Sequence, residues 1–242
     1  VPQPLALHAI TLLHVVAGTF VLAVAPAAMI ARKGGRWHRG WGIAFTTAMA
    51  FVLATAVFMW QAHGHLFLLF LDAVSAYLVF TGYRTISRRR RRAPDSREDR
   101  IDTLVAGGVA ACAAVLVWLA VAARTPLVHD LAPVLVALAC IALAFVGLDL
   151  KALFERRQSR LGSLLMHLSA MIGAYISAVT AFVVINAHGV PMGLRWLVPS
   201  VVGTVAIAAF SIVYRRRFAG APVPTATSVE SRSGDTSLIP MR

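Results

Sequence analysis

Seven apolar blocks, at about residues 5–31, 41–62, 66–86, 103–123, 131–148, 161–187 and 196–214, alternate with short polar connections. Each is close to the roughly twenty residues that cross about 30 Å of hydrocarbon at about 1.5 Å per residue. Inside lipid, a segment that is not part of a closed barrel satisfies its own backbone hydrogen bonds only as a helix. The blocks predict an all-α polytopic transmembrane bundle of seven helices, filling residues 1–217. Composition agrees, with 59% hydrophobic and 14% charged residues, against about 25% charged in a soluble domain. The first block is expected to be a span and not a cleaved signal peptide, because no Ala-x-Ala site flanks it. Cys112 and Cys140 both fall inside apolar blocks, so no disulfide framework is implied.

The cations are sorted. All but two of the 23 Lys and Arg residues lie in odd-numbered connections or in the C-terminal tail; Arg124 and Arg195 are the exceptions. The positive-inside rule then places the N-terminus outside and the C-terminus in the cytoplasm, which requires an odd number of crossings. A net charge of +13 is on this reading a topology signal, and nucleic acid is not an expected partner. The expected partners are the lipid bilayer and, at the cytoplasmic face, anionic lipids.

The first connection, ARKGGRWHRGWGI at 31–43, lacks the G-x-x-x-x-G-K-[ST] spacing of a phosphate loop. Gly34 and Gly35 permit a tight turn, Trp37 and Trp41 suit the headgroup level, and the cations stay in water. His38 is the residue that the bilayer leaves unexplained. Residues 87–100, SRRRRRAPDSREDR, read as a basic cytoplasmic loop broken by Pro94. Residues 218–242, rich in Pro, Ser and Thr and without aromatics beyond Phe218, read as a disordered cytoplasmic tail. The two halves show no repeat of the kind that marks inverted-repeat transporters.

Function in such a chain is sought among polar groups that the membrane penalises, since a charge at mid-bilayer costs at least about 2.5–3.5 kcal/mol. Asp72 is expected to be the one acidic residue well inside a span, with Asp102 and Asp149 at helix ends. Asp72, Ser75, Ala76 and Val79 fall on one helical face, predicted to look inward. His14 is expected at a similar depth, about 9–13 Å below the outer surface at 1.5 Å per residue. Its face continues through the small residues Ala17 and Gly18. An intramembrane His14–Asp72 centre could relay protons or hold a substrate amine or metal. A hydrogen-bonded structural pair, or two groups that never meet, is the bland alternative. His167, two turns into the sixth helix, reads as a packed residue or a member of the same centre, with Ser169, Gly173 and Ser177 forming a small-residue stripe.

Histidines also gather at the outer rim: His8, His63 and His65, His129 and His188. His63, His65 and His188 are weak candidates for a Zn or Cu site, which would need a further ligand. Bis-histidine haem is disfavoured, because His14 and His167 are expected to differ in depth by roughly 8 Å along the normal. No G-x-S-x-G, His-Glu-x-x-His or GxGxxG occurs in a supporting context, so no catalytic residue and no cofactor can be named.

The stretch HVVAGTFVLAVAPAAMIARKGGRWHRGWGIAF, residues 14–45, resembles a family of bacterial membrane proteins catalogued as domain of unknown function 2306. The matching positions are His14, Gly18, Pro26, Lys33 with Gly34, His38 with Arg39, and Gly42. YLVFTGYR at 77–84 and MIGAYISAVTAF at 171–182 also look like family segments, so the resemblance covers roughly residues 8–190. It implies a helical bundle in a bacterial inner membrane and draws attention to His14, Lys33, His38 and Arg39. It brings no reaction. The functional expectation is a carrier or sensor of a small molecule or proton. A membrane redox or metal-dependent enzyme, using haem, quinone or an outer-face metal, and a non-catalytic scaffold are the alternatives.

Overall fold

A computed structural model describes residues 5–63, 66–90, 96–122, 126–154 and 159–219, leaving out the side chains at 62–67, 89–96, 98, 123–131 and 218–219. Among these residues the chain forms seven α-helices. They are α1 (Leu5–Ile30), α2 (Arg36–His63), α3 (Leu66–Arg90), α4 (Ser96–Ala122), α5 (Pro126–Phe154), α6 (Arg160–Asn186) and α7 (Met192–Ala219). Six of them, all but α3, are long and apolar enough to cross a membrane. This is the architecture of a multi-pass membrane protein. Large apolar side chains such as Leu12, Phe20, Leu104, Trp118 and Val202 cover the outside of the bundle, the surface that lipid, not water, would solvate.

Several helices run further than hydropathy indicates. α2 begins at Arg36, five residues ahead of the apolar block, and so takes in His38. α3 continues to Arg90 and α4 starts at Ser96, so both ends of the expected basic loop 87–100 are helical. Hydropathy marks the thickness of hydrocarbon, whereas a helix keeps gaining backbone hydrogen bonds in the headgroup layer. The middle of that loop, 91–95, and the tail from 220 onward lie outside the described residues.

Four helices close a ring: α1 packs on α2, α2 on α3, α3 on α6 and α6 on α1. The α4–α5 hairpin lies against α3, and α7 lies against α6. α3 and α6 therefore occupy the centre, which explains how α3 carries Asp72, Arg84 and Arg88 without presenting a continuous apolar face to lipid. Their close approach uses small residues. A Cβ on Gly173 would stand 3.1 Å from Leu78 Cδ1, and one on Gly82 would stand 2.7 Å from Met171 Cε. The core joins Val21 and Ala25 of α1, Phe45 and Met49 of α2, and Val74 and Leu78 of α3 to Ala170 and Ala174 of α6.

Helix ends are closed by specific groups. Ser159 is the N-cap of α6, its hydroxyl accepting from Gly162 N–H at 2.9 Å. At the other end of α6, the Arg195 guanidinium donates to the carbonyls of Val184, His188 and Val190. A cation at a helix C-terminus satisfies orphan carbonyls and complements the dipole. One of the two exceptions to the charge sorting thus has a local structural task.

Candidate functional site: a histidine pair at the basic end of the ring

The turn between α1 and α2 assembles the site. Gly34 adopts φ +76°, a conformation that only glycine takes without strain. The turn brings Lys33 and His38 back onto the end of α1, whose last carbonyls have no helical partner. Lys33 Nζ donates to Met29 O at 2.5 Å and to Ala28 O at 3.5 Å. His38 Nδ1 lies 2.9 Å from Ala28 O, and a carbonyl only accepts, so this nitrogen carries the proton. Half-burial pushes the Lys33 ammonium below the ordinary lysine range. Arg39, by contrast, is exposed and joins the turn only through its backbone N–H, bonded to Gly35 O at 3.1 Å.

His38 meets His167 of α6. The rings are 6.3 Å apart, centroid to centroid, and nearly perpendicular at 79°. His167 Nδ1 is 2.9 Å from Gly82 O on α3, so it too is the protonated nitrogen. Gly82 has its Cα bare against α6, and this is why the imidazole can reach the α3 backbone. Both Nδ1 atoms are committed to carbonyls, and both Nε2 atoms keep a lone pair. Such a pair can take up a proton or ligate a metal through Nε2, with the carbonyl fixing ring orientation.

The histidine pair departs from the sequence-based expectation in two ways. His38 is a residue of α2, not of the α1–α2 connection, and His167 faces His38, whereas the sequence offered it as a packed residue or a member of the His14–Asp72 centre. A usable signal was present, since His38 and His167 each lie seven residues or fewer from the basic end of a helix. Only the packing of α2 and α6 around α3 makes them neighbours.

His14 occupies the other half of the ring. Its Nδ1 is 2.9 Å from Thr55 Oγ1. The Thr55 hydroxyl donates to the carbonyls of Phe51 and Val52, each at 2.9 Å, so its oxygen accepts from His14. α1 and α3 lie at opposite corners of the ring, and His14 bonds α2, not Asp72. Among the described residues the half-buried Asp72 carboxylate has no hydrogen-bond or ion-pair partner. Ser75 is buried and donates to Leu71 O at 2.6 Å. Of the expected inward face of α3, Ser75 and Val79 are buried, Asp72 is half-buried and Ala76 is exposed, while Leu71, Val74, Leu78 and Thr81 are buried beside them.

On the opposite side of α3 lies a second polar cluster. Arg84 grips Asp102 of α4 with two bonds, Nε to Oδ1 at 2.6 Å and Nη2 to Oδ2 at 2.9 Å. Arg88 Nη2 bonds Asp149 Oδ1 on α5, and its Nε stands 3.5 Å from Asp102 Oδ2 in an ion-pair contact. Tyr77 O–H faces Asp149 Oδ2 at 3.4 Å. Asp102 is 0% and Asp149 1% exposed, so the two acids expected at helix ends are more deeply buried than Asp72, the one expected within a span. Helix-end position in the sequence does not reveal burial when neighbouring helices extend past the apolar block. Among the described residues two cations face two carboxylates, and the cluster holds α3, α4 and α5 together.

His188 is exposed in the α6–α7 turn. His65 and the side chains of His63 and His129 lie outside the described residues. Among the described residues no group of three or more His, Cys, Asp or Glu side chains could hold a metal ion. Comparison with protein families, with curated proteins and with solved structures finds no match to this chain.

Proposed function

We propose that this protein is a seven-crossing carrier or sensor that takes up a proton or small cation at His38–His167. The supporting observation is the pair itself: two imidazoles in contact near one end of a lipid-facing bundle, each with Nδ1 held and Nε2 uncommitted. In this reading α3 is the seventh crossing, sheltered from lipid by α2, α4, α5 and α6. The basic end, with Lys33, Arg84, Arg88 and Lys151, faces the cytoplasm of a bacterium from its inner membrane, in contact with anionic lipid. His14–Thr55, Asp72 and Ser75 provide polar steps through the remaining half of the same ring. Family membership is part of the proposal, resting on His14, Lys33, Gly34 and His38.

The test is flux in proteoliposomes carrying an internal pH-sensitive dye, under an imposed potential. The native chain is expected to conduct, and His38→Gln or His167→Gln to lower the flux at least tenfold with expression and thermal stability retained. Equal flux in native and double-variant vesicles would overturn the assignment.

A redox or metal-dependent reading has one observation in its favour, because metal-ligating imidazoles commonly have the other nitrogen bonded to a carbonyl. The residues present fit a two-histidine ligand set only, without a third acidic or thiol ligand. A Soret band, or about one equivalent of bound transition metal that His167→Gln abolishes, would favour that reading over proton uptake.

A further inference from the structure

α5 packs on α4 and α3, and α7 on α6, but among the described residues α5 and α7 make no extensive contact with each other. The gap between them is a groove of about 1090 Å³ whose floor includes Leu78 of α3 and Leu165 and Gly173 of α6. Its walls are Leu138, Leu148 and Ala144 on α5 and Leu197 on α7. Along α7 it runs from Leu194 to Arg215, about 32 Å at about 1.5 Å per residue, the thickness of a bilayer's hydrocarbon. The walls are mainly apolar, with the hydroxyls of Ser200, Thr204 and Ser211 set among Leu197 and Ile207 along α7. One end differs: Lys151 from α5 and Arg215 from α7 both line it, beside the start of α6 at Gly162.

An apolar trough with two cations at one mouth has the chemistry of an amphiphile with an anionic head. Lipid tails gain little from leaving other lipid tails, so the apolar walls give shape and not driving force. Selectivity has to come from the two cations, which attract an anionic headgroup near the membrane surface. A second copy of the chain is a poorer fit. Two grooves brought together about a two-fold axis in the membrane plane's normal would place the same cations, Lys151 and Arg215, near their own counterparts. We infer that the α5–α7 groove is a binding site for an anionic phospholipid, its phosphate held by Lys151 and Arg215 and its acyl chains lying along α5 and α7.

The full chain, reconstituted into vesicles of equal phosphatidylglycerol and phosphatidylcholine, is extracted gently and its retained lipid counted by native mass spectrometry. The native protein is expected to keep at least one phosphatidylglycerol per chain, favoured at least fivefold over phosphatidylcholine. The double variant Lys151→Ala/Arg215→Ala should lose that preference while folding normally. Ala144→Trp, which fills the groove without touching the cations, should lose the retained lipid while leaving flux through the histidine pair intact. Equal retention of the two lipids by native protein, or an unchanged preference in the double variant, would overturn the site. So would a native dimer that Ala144→Trp converts to monomer, since the groove would then belong to a second copy. If Ala144→Trp does not fold, the charge variant decides alone.

Discussion

An imidazole whose Nδ1 is held by a backbone carbonyl has one nitrogen left for chemistry, and here three histidines are anchored through Nδ1. His38 and His167 bond the carbonyls of Ala28 and Gly82, and His14 bonds the hydroxyl of Thr55. What separates them is the neighbour: His38 and His167 face each other, whereas His14 meets the Thr55 hydroxyl and the Val52 backbone of α2. His14→Leu should therefore cost about 1 kcal/mol, the usual net worth of one hydrogen bond, measured as thermal unfolding in detergent, and should lower the flux far less than His167→Gln does. A loss of flux as large as that of His167→Gln would move the centre to the other half of the ring. Lys33 is mainly a cap. Lys33→Ala leaves carbonyls of α1 unsatisfied and should destabilise by about 1–2 kcal/mol, again read from the unfolding transition. These residues could be picked out one by one in the sequence, as polar groups in apolar surroundings. Their partners could not, because a carbonyl at Ala28 or Gly82 leaves no mark in the sequence.

At the scale of helices, charge pairs and glycines fix which elements touch. Arg84, Arg88, Asp102 and Asp149 tie three helices together at one end, with the carboxylates fully buried. Removing one partner leaves its opposite charge buried alone, so Asp102→Ala or Asp149→Ala should destabilise by about 3–5 kcal/mol. The change is expected as a lowered unfolding temperature and as faster proteolysis of the α4–α5 hairpin. On the far side, a Cβ at Gly203 of α7 would stand 2.1 Å from Ile176 Cδ1 and 2.2 Å from Cγ1. Ile176 is β-branched and has little rotamer freedom in a helix, so Gly203→Val should push α7 off α6 at a cost of about 1–3 kcal/mol. Disulfide trapping between cysteines placed on α6 and α7 would report that separation. The existence of each helix was legible from its apolar block. Its true length was not, because polar first and last turns are silent in hydropathy, and those turns carry His38, Arg88 and Asp149.

For the whole molecule, the decisive question is how the chain threads the bilayer. Six helices pass a hydropathy criterion and α3 stands outside that set among the described residues, yet α3 is enclosed by four neighbours and need not be apolar all round. Seven crossings put the α1–α2 turn and the α6–α7 turn on opposite sides. Single cysteines introduced at Arg32 and Gly189, both exposed, in an otherwise cysteine-free chain, should react with an impermeant maleimide from opposite faces of sealed vesicles; labelling of both from one face would exclude seven crossings. The sequence by itself determined the class of architecture and the sorting of cations, because both follow from the cost of bare backbone and bare charge in lipid, which acts on each segment separately. Only the tertiary structure decided the pairing of His38 with His167, the burial of Asp102 and Asp149, and the separation of His14 from Asp72. Those depend on which helices are neighbours in the ring, and neighbours are chosen by close packing of small residues and by partners far apart in the chain.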